Sequence, residues 1–231
     1  MPLTIHDLHP WDLSPADAIR LQSELAAQVI TDQPLPLDAI RLVGGVDVSV
    51  KNDISRAAVV VLRYPQLDVI EVAIAERPTT FPYIPGLLSF REGAVILDAM
   101  RKLATTPDVF VFDGQGIAHP RRIGIASHIG LFLDAPTVGC AKTRLTGVHA
   151  TLSTARGSWQ PLVDRGETIG AVLRTRANVK PVYVSVGHRA TLDTARELVL
   201  RCTTRYRLPE PTRAAHNAAG TVSDSPQLPL F

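Results

Sequence analysis

Hydrophobic and polar residues change period several times along the chain, and each change predicts an element. Ser14, Pro15 and Asp17 open a stretch in which Ala18, Leu21, Leu25 and Val29 recur at helical spacing, which predicts an amphipathic helix with Ser14 at its N-cap. After Pro34 and Pro36 comes IRLVGGVDVSV, where Val43, Val46, Val48 and Val50 favour a strand carrying Asp47. Gly44 and Gly45 within it suggest a bulge or a close backbone approach. RAAVVVLRY at 56–64 and LDVIEVAIA at 67–75 are parted only by Pro65 and Gln66, so they pair as a hairpin and make the first three strands an antiparallel meander. PTTFPYIPG at 78–86 holds three prolines and cannot be a central strand; it reads as a stiff loop presenting Phe81, Tyr83 and Ile84. Helical spacing runs from Leu87 to Ala104. DVFVFD at 108–113 reads as a strand of alternating pattern that ends on Asp113, because Gly114, Gln115 and Gly116 break it. GIASHIGLFLD is helical again, PTVGCA (136–141), IGAVLRT (169–175) and VYVSVGH (182–188) are strand-like, and Leu192 to Thr204 is a last helix with Leu198 and Cys202 inward.

Composition narrows the class. With 231 residues, 45% of them hydrophobic, the chain can bury one sizeable core and fits a single α/β domain. The start lacks a cationic segment followed by an apolar one, and no apolar run approaches the roughly 20 residues that span a bilayer, so a soluble, cytoplasmic protein is expected. Cys140 and Cys202 lie in apolar segments without metal-ligand spacing and read as packing residues. The net charge of +2 is unevenly spread: residues 1–113 hold 9 Lys and Arg against 15 Asp and Glu, a net of −6, and residues 114–231 hold 15 against 7, a net of +8. That asymmetry suggests an anionic partner, with Arg121, Arg122, Lys142, Arg144, Arg174, Arg176, Lys180 and Arg189 near loop or strand ends where they could reach a phosphate backbone.

The order of elements resembles the ribonuclease H-like fold: an antiparallel three-strand meander, then parallel strands alternating with helices, then extra strands and helix. In that fold a carboxylate on the first strand, one on the first long helix and one at the end of the fourth strand converge, and Asp47, Glu92 and Asp113 occupy those places. Three clustered carboxylates repel one another and are costly to desolvate unless a cation sits among them. Magnesium, an oxygen-preferring ion, fits such a site and can assist attack of water on a phosphodiester.

VGGVDVSV, PYIPGLLSFRE, VFDGQGIAHPRRIGIASHIG, VGCAKTRLTG, VYVSVGH and PEPTRAAH together resemble the endonuclease V family of deoxyinosine nucleases, over roughly residues 14–217. The resemblance implies metal binding by Asp47, Glu92 and Asp113, with magnesium as cofactor and manganese able to substitute. It implies a catalytic or phosphate-binding role for Lys142 and places His216 near the metal. Pro82, Tyr83, Ile84 and Pro85 would form a wedge in DNA, and Gly86, Leu88, Gly114, His119, Ile125 and Leu145 a pocket for the extruded base. The implied reaction cuts the second phosphodiester 3′ to deoxyinosine, leaving 3′-hydroxyl and 5′-phosphate ends. An inosine-specific ribonuclease or a junction resolvase of the same fold is the alternative; a resolvase does not account for the wedge loop.

Residues 1–217 are thus expected to form the catalytic domain of a monomer, and 218–231 a flexible tail. Ser223 to Pro226 read as a polar spacer. Gln227, Leu228, Pro229, Leu230 and Phe231 resemble the short peptides by which bacterial repair proteins hold the sliding clamp, the leucines and Phe231 filling an apolar pocket.

Overall fold

The computed structural model describes residues 3–220. Helix α1 (Pro15–Ala26) precedes strands β1 (Leu42–Lys51), β2 (Ile54–Arg63) and β3 (Val69–Pro78); α2 (Leu88–Met100), β4 (Val109–Phe112), α3 (Ile125–Leu133) and β5 (Thr137–Ala141) follow. The chain then adds β6 (Trp159–Asp164), β7 (Glu167–Leu173), β8 (Val182–His188), α4 (Leu192–Arg201) and α5 (Glu210–Gly220). The eight strands form one sheet in the order β3-β2-β1-β4-β5-β8-β7-β6. The meander β1-β2-β3 is antiparallel, β4 and β5 join it in parallel, and β8, β7 and β6 return antiparallel at the far edge. This is a ribonuclease H-like mixed sheet flanked by helices.

The core lies on both faces. Phe110 and Phe112 point with Val46 and Val59 toward α2 and α3, whereas Val109 and Val111 join Val138, Val184 and the apolar side of α4. All four residues of β4 are buried, so the expected alternation of polar and apolar positions does not describe it. A central parallel strand is covered on both faces and reads as a continuous apolar run instead.

Other expectations need adjusting, and two elements lie where none was expected. The β1–β2 register runs unbroken from Leu42 to Lys51, so Gly44 and Gly45 mark close approach rather than a bulge; the irregularity lies between β2 and β3, at Val61/Leu62. Phe81 is buried with Ala18, Leu87 and Phe90, so the proline-rich loop exposes Tyr83 but not Phe81. Strand β6 carries Pro161 and did not read as a strand; it sits at the sheet edge, where a missing N–H costs no ladder bond. Helix α5, short on large apolar residues, also escaped the pattern. It docks through Thr212, Ala215 and Ala219, all buried, with Ala215 against Val60 and Leu62. Because Ala219 is part of that seam, the boundary placed at 217 falls inside the helix, and residues 218–220 belong to it. The clamp-like pentapeptide, Gln227 to Phe231, lies outside the described residues.

Candidate active site

Asp47 stands in β1 opposite Ala58, and Asp113 follows β4 immediately, its backbone N–H donating to the Val46 carbonyl at 3.0 Å. Parallel pairing of β1 with β4 therefore sets the two carboxylates side by side. His216 reaches them from α5, its Nδ1 2.7 Å from Asp47 Oδ2. What lets α5 come so close is Gly45: a Cβ there would stand 1.9 Å from the Pro211 carbonyl oxygen. Among the described residues, donor atoms of Asp47, Asp113 and His216 all lie within 4.8 Å of one another. Lys142, just past β5, places its Nζ 2.5 Å from Asp113 Oδ2.

Glu92 enters differently. It is half-buried in the second turn of α2 and is not one of the three clustered donors. Burial, followed by the charges of Asp47 and Asp113, pushes its carboxyl up to about 8, against an opposing effect of Arg91. Burial and Asp113 likewise raise Asp47. Such a cluster holds more negative charge than its surroundings accommodate, and its donors, two carboxylates and an imidazole with a third acid nearby, suit a hard divalent cation.

Beside the acids opens a cavity of about 290 Å³. One wall comes from the loop and first turn of α2 (Tyr83 to Ser89), another from Asp113, Gly114 and Gln115, a third from the segment Ala141 to Leu145; Gln22, His119, Gly124 and Ile125 complete it. All six residues expected for a base pocket line this space. The wedge loop is braced: Arg91 donates to the Phe81 carbonyl, and Leu87 N–H closes a turn on the Ile84 carbonyl at 2.9 Å. Gly86, at φ +83°, adopts a conformation that side chains resist, and its carbonyl accepts from Gln22, His119 and Arg121 at 2.8 to 3.0 Å. Tyr83 is left 72% exposed at the rim. His119 is neutral, its pKa lowered to about 4 by burial and then by Arg121.

Several arginines read as phosphate-facing are spent internally. Arg121 bonds Gln22 and Gly86, Arg122 pairs with Asp164 and Glu167, Arg174 caps carbonyls of Ser153 and Val179, Arg176 reaches the Arg205 carbonyl, and Arg189 pairs with Asp134. Their number reflects loop bracing. Exposed Arg144, on the cavity wall, and exposed Lys180 have no ion-pair partner among the described residues. Sequence reasoning missed Gln22 and Ser89. The signal for Gln22 was there: a polar residue four positions after Ala18 on the apolar face of α1, buried to 1%.

An eight-stranded mixed sheet that brings acids from β1 and the end of β4 against a base-sized cavity defines a nuclease-type site of the ribonuclease H-like class. A family model described as Endonuclease V matches residues 23–217. The endonuclease V of Trichormus variabilis is 56% identical over 219 residues, 94% of this chain and 99% of that one. Among solved structures, endonuclease V of Streptomyces avermitilis is 42% identical with a TM-score of 0.87, covering 95% of this chain and 96% of its own. Endonuclease V of Ciona intestinalis, in complex with a 24mer DNA containing an inosine followed by a ribo-adenosine, is 27% identical with a TM-score of 0.77, covering 88% and 95%. The chain belongs to the endonuclease V family. Among the described residues no helix is long and apolar enough to cross a membrane.

Proposed function

We propose that this protein is a divalent-metal-dependent DNA repair endonuclease that recognises deoxyinosine and hydrolyses the second phosphodiester 3′ to it, leaving 3′-hydroxyl and 5′-phosphate ends. The observation that carries the reading is the adjacency of the Asp47–Asp113–His216 cluster to the cavity behind Tyr83. Asp47, Asp113 and His216 would hold the ion, with Glu92 as a nearby acid; magnesium, or manganese in its place, supplies positive charge at the scissile phosphate and acidity to attacking water. Lys142, held against Asp113, offers its remaining donors to phosphate oxygens. Tyr83, carried on a rigid turn with Pro82, Ile84 and Pro85, fills the gap left by an extruded base.

Recognition of the base follows from hydrogen-bond matching. Hypoxanthine presents a keto oxygen and a ring N–H where adenine presents an amine and a bare ring nitrogen. The first turn of α2 has no side-chain cap; Phe90 N–H closes on the Leu87 carbonyl, and the N–H groups of Leu88 and Ser89, residues that line the cavity, suit the keto oxygen. Adenine's amine would leave them unsatisfied.

The ribo-adenosine in the Ciona complex favours a second reading, in which a ribonucleotide after inosine is accepted or preferred. Cleavage of matched oligonucleotides carrying inosine in DNA, in RNA, and in DNA followed by one ribonucleotide decides between them; cleavage only of the all-RNA strand would overturn the DNA repair assignment. The sequence Gln227 to Phe231 supports one partner besides nucleic acid, the bacterial sliding clamp, reached through the preceding polar spacer. Calorimetry of clamp against the full chain and a version ending at Pro226 tests it: loss of binding on truncation is expected, and equal binding or none by either removes the idea.

A further inference from the structure

A hydrogen-bonded chain leads from the partly buried His9 of the N-terminal segment inward to the cavity wall. His9 Nδ1 lies 2.8 Å from the Pro10 carbonyl, His9 Nε2 lies 2.7 Å from His128 Nε2, and His128 Nδ1 lies 2.8 Å from Ser89 Oγ. Trp11, Phe90 and Phe132 surround the two rings, with centroids 4.7 to 5.9 Å from them. His128 is completely buried and Ser89 nearly so. The sheet and the metal site do not use this chain.

Its polarity can be worked out from one end. A carbonyl only accepts, so His9 Nδ1 carries the proton, and the Nε2 of a neutral His9 is an acceptor. His128 Nε2 must then donate, which leaves His128 Nδ1 as an acceptor, so the Ser89 hydroxyl gives its proton to His128. The surroundings favour neutral rings: burial, opposed by the bond to the Pro10 carbonyl, lowers His9, and burial above all lowers His128 to about 3. The reverse chain would need a charged imidazole among Trp11, Phe90 and Phe132.

Ser89 lies on the cavity wall, and its oxygen makes no other hydrogen bond among the described residues. We infer that Ser89 is a specificity-determining residue: with its proton committed to His128, its oxygen can only accept, so it takes the ring N–H of a 6-keto purine and rejects the bare ring nitrogen of adenine. His128 and His9 are positioning residues, because they act only by fixing which way the hydroxyl points. The inference rests on the deoxyinosine reading above and adds to the helix N–H groups the one acceptor that the lesion's edge requires. The keto oxygen and ring N–H are adjacent on the base, as the first-turn N–H groups and Ser89 are adjacent on α2.

The test uses the full chain and three duplexes that differ at one nucleotide: deoxyinosine, deoxyadenosine, and deoxynebularine, whose unsubstituted purine keeps the bare ring nitrogen. Cleavage is measured with magnesium, and binding by anisotropy with metal chelated. Ser89→Ala should lose roughly tenfold on inosine and nothing on nebularine, so the inosine-to-nebularine ratio falls in both assays. His9→Phe keeps the ring packing and removes the acceptor at the head of the chain; the Ser89 hydroxyl can then turn to donate, so nebularine should gain and the same ratio fall. If both variants keep the wild-type ratio, whatever their activity, the hydroxyl is structural and the inference is overturned. If wild type itself shows no preference for inosine, the functional reading fails instead.

Discussion

Replacing Gly45 by alanine should separate fold from chemistry. The new Cβ would meet the Pro211 carbonyl oxygen at 1.9 Å, its carbon at 2.2 Å and its Cα at 2.8 Å, where ordinary contact begins near 3.4 Å. Both partners are backbone, so no side-chain rotation relieves the clash; taking 1.9 Å to 3.4 Å parts α5 from β1 by about 1.5 Å. Overpacking of this kind costs about 1–3 kcal/mol, which a domain with about 5–15 kcal/mol of stability survives. The chemistry should suffer more. His216 rides on α5, 2.7 Å from Asp47, and a displacement on that scale takes it out of hydrogen-bond reach. A misplacement of about 1 Å can cost on the order of 100-fold in rate. Urea midpoints and single-turnover cleavage of an inosine duplex should be measured for Gly45→Ala in wild-type and His216→Ala backgrounds. The stability loss should be the same in both, whereas the rate loss should be large in wild type and nearly absent once His216 is gone. Rate losses that multiply, or a Gly45→Ala protein of wild-type stability, would show that close packing at Gly45 does not act on the site through His216.

Other outcomes follow from the same geometry. Tyr83→Ala should leave the unfolding free energy from urea titration within about 0.5 kcal/mol of wild type, since the ring is exposed, yet weaken inosine-DNA binding by about 1–3 kcal/mol in anisotropy titrations. Lys142→Met should cut the single-turnover rate by about 100-fold or more, with little change in binding of an inosine duplex, because it removes the ammonium held beside Asp113, whose remaining donors the proposed function assigns to phosphate. Acid should destabilise the fold through its buried histidines: His119 and His128 titrate at about 4 and about 3 in the folded protein against 6.5 unfolded. Protons bind the unfolded chain first, so the contribution is intact above pH 6.5. It drains by about 1.4 kcal/mol per pH unit for each histidine as the pH falls toward 4. Denaturation curves between pH 7 and 4 check this, and His128→Phe should flatten the slope.

How far the sequence carries depends on whether a residue's role is local. Strands β1 to β4 and helices α1 to α3 announce themselves because their periodicity, caps and prolines act within a few residues, and Asp47 and Asp113 are legible as acids at strand positions that the topology brings together. The partner of Asp47 across α5 is another matter. His216 is 169 positions away, on a helix whose docking face is Thr212, Ala215 and Ala219, too small to register as a hydrophobic stripe. Only the family resemblance placed that histidine. The arginines illustrate the opposite error: a count of basic residues sees charge but not partners, and Arg121, Arg122 and Arg189 turn out to brace carbonyls and acids. The chain from His9 to Ser89 was invisible because it joins three segments through two neutral rings, and nothing in local spacing marks it.

The most direct measurement is cleavage of a duplex carrying one deoxyinosine, with the cut position mapped, for wild type and Asp113→Asn, with magnesium present or chelated, beside an adenine control. The proposed function requires wild type to cut only the inosine strand, only with magnesium, at the second phosphodiester 3′ to the lesion, and Asp113→Asn to bind that duplex without cutting it. Equal cutting of the adenine control, persistence in chelator, or wild-type cleavage by Asp113→Asn would contradict it.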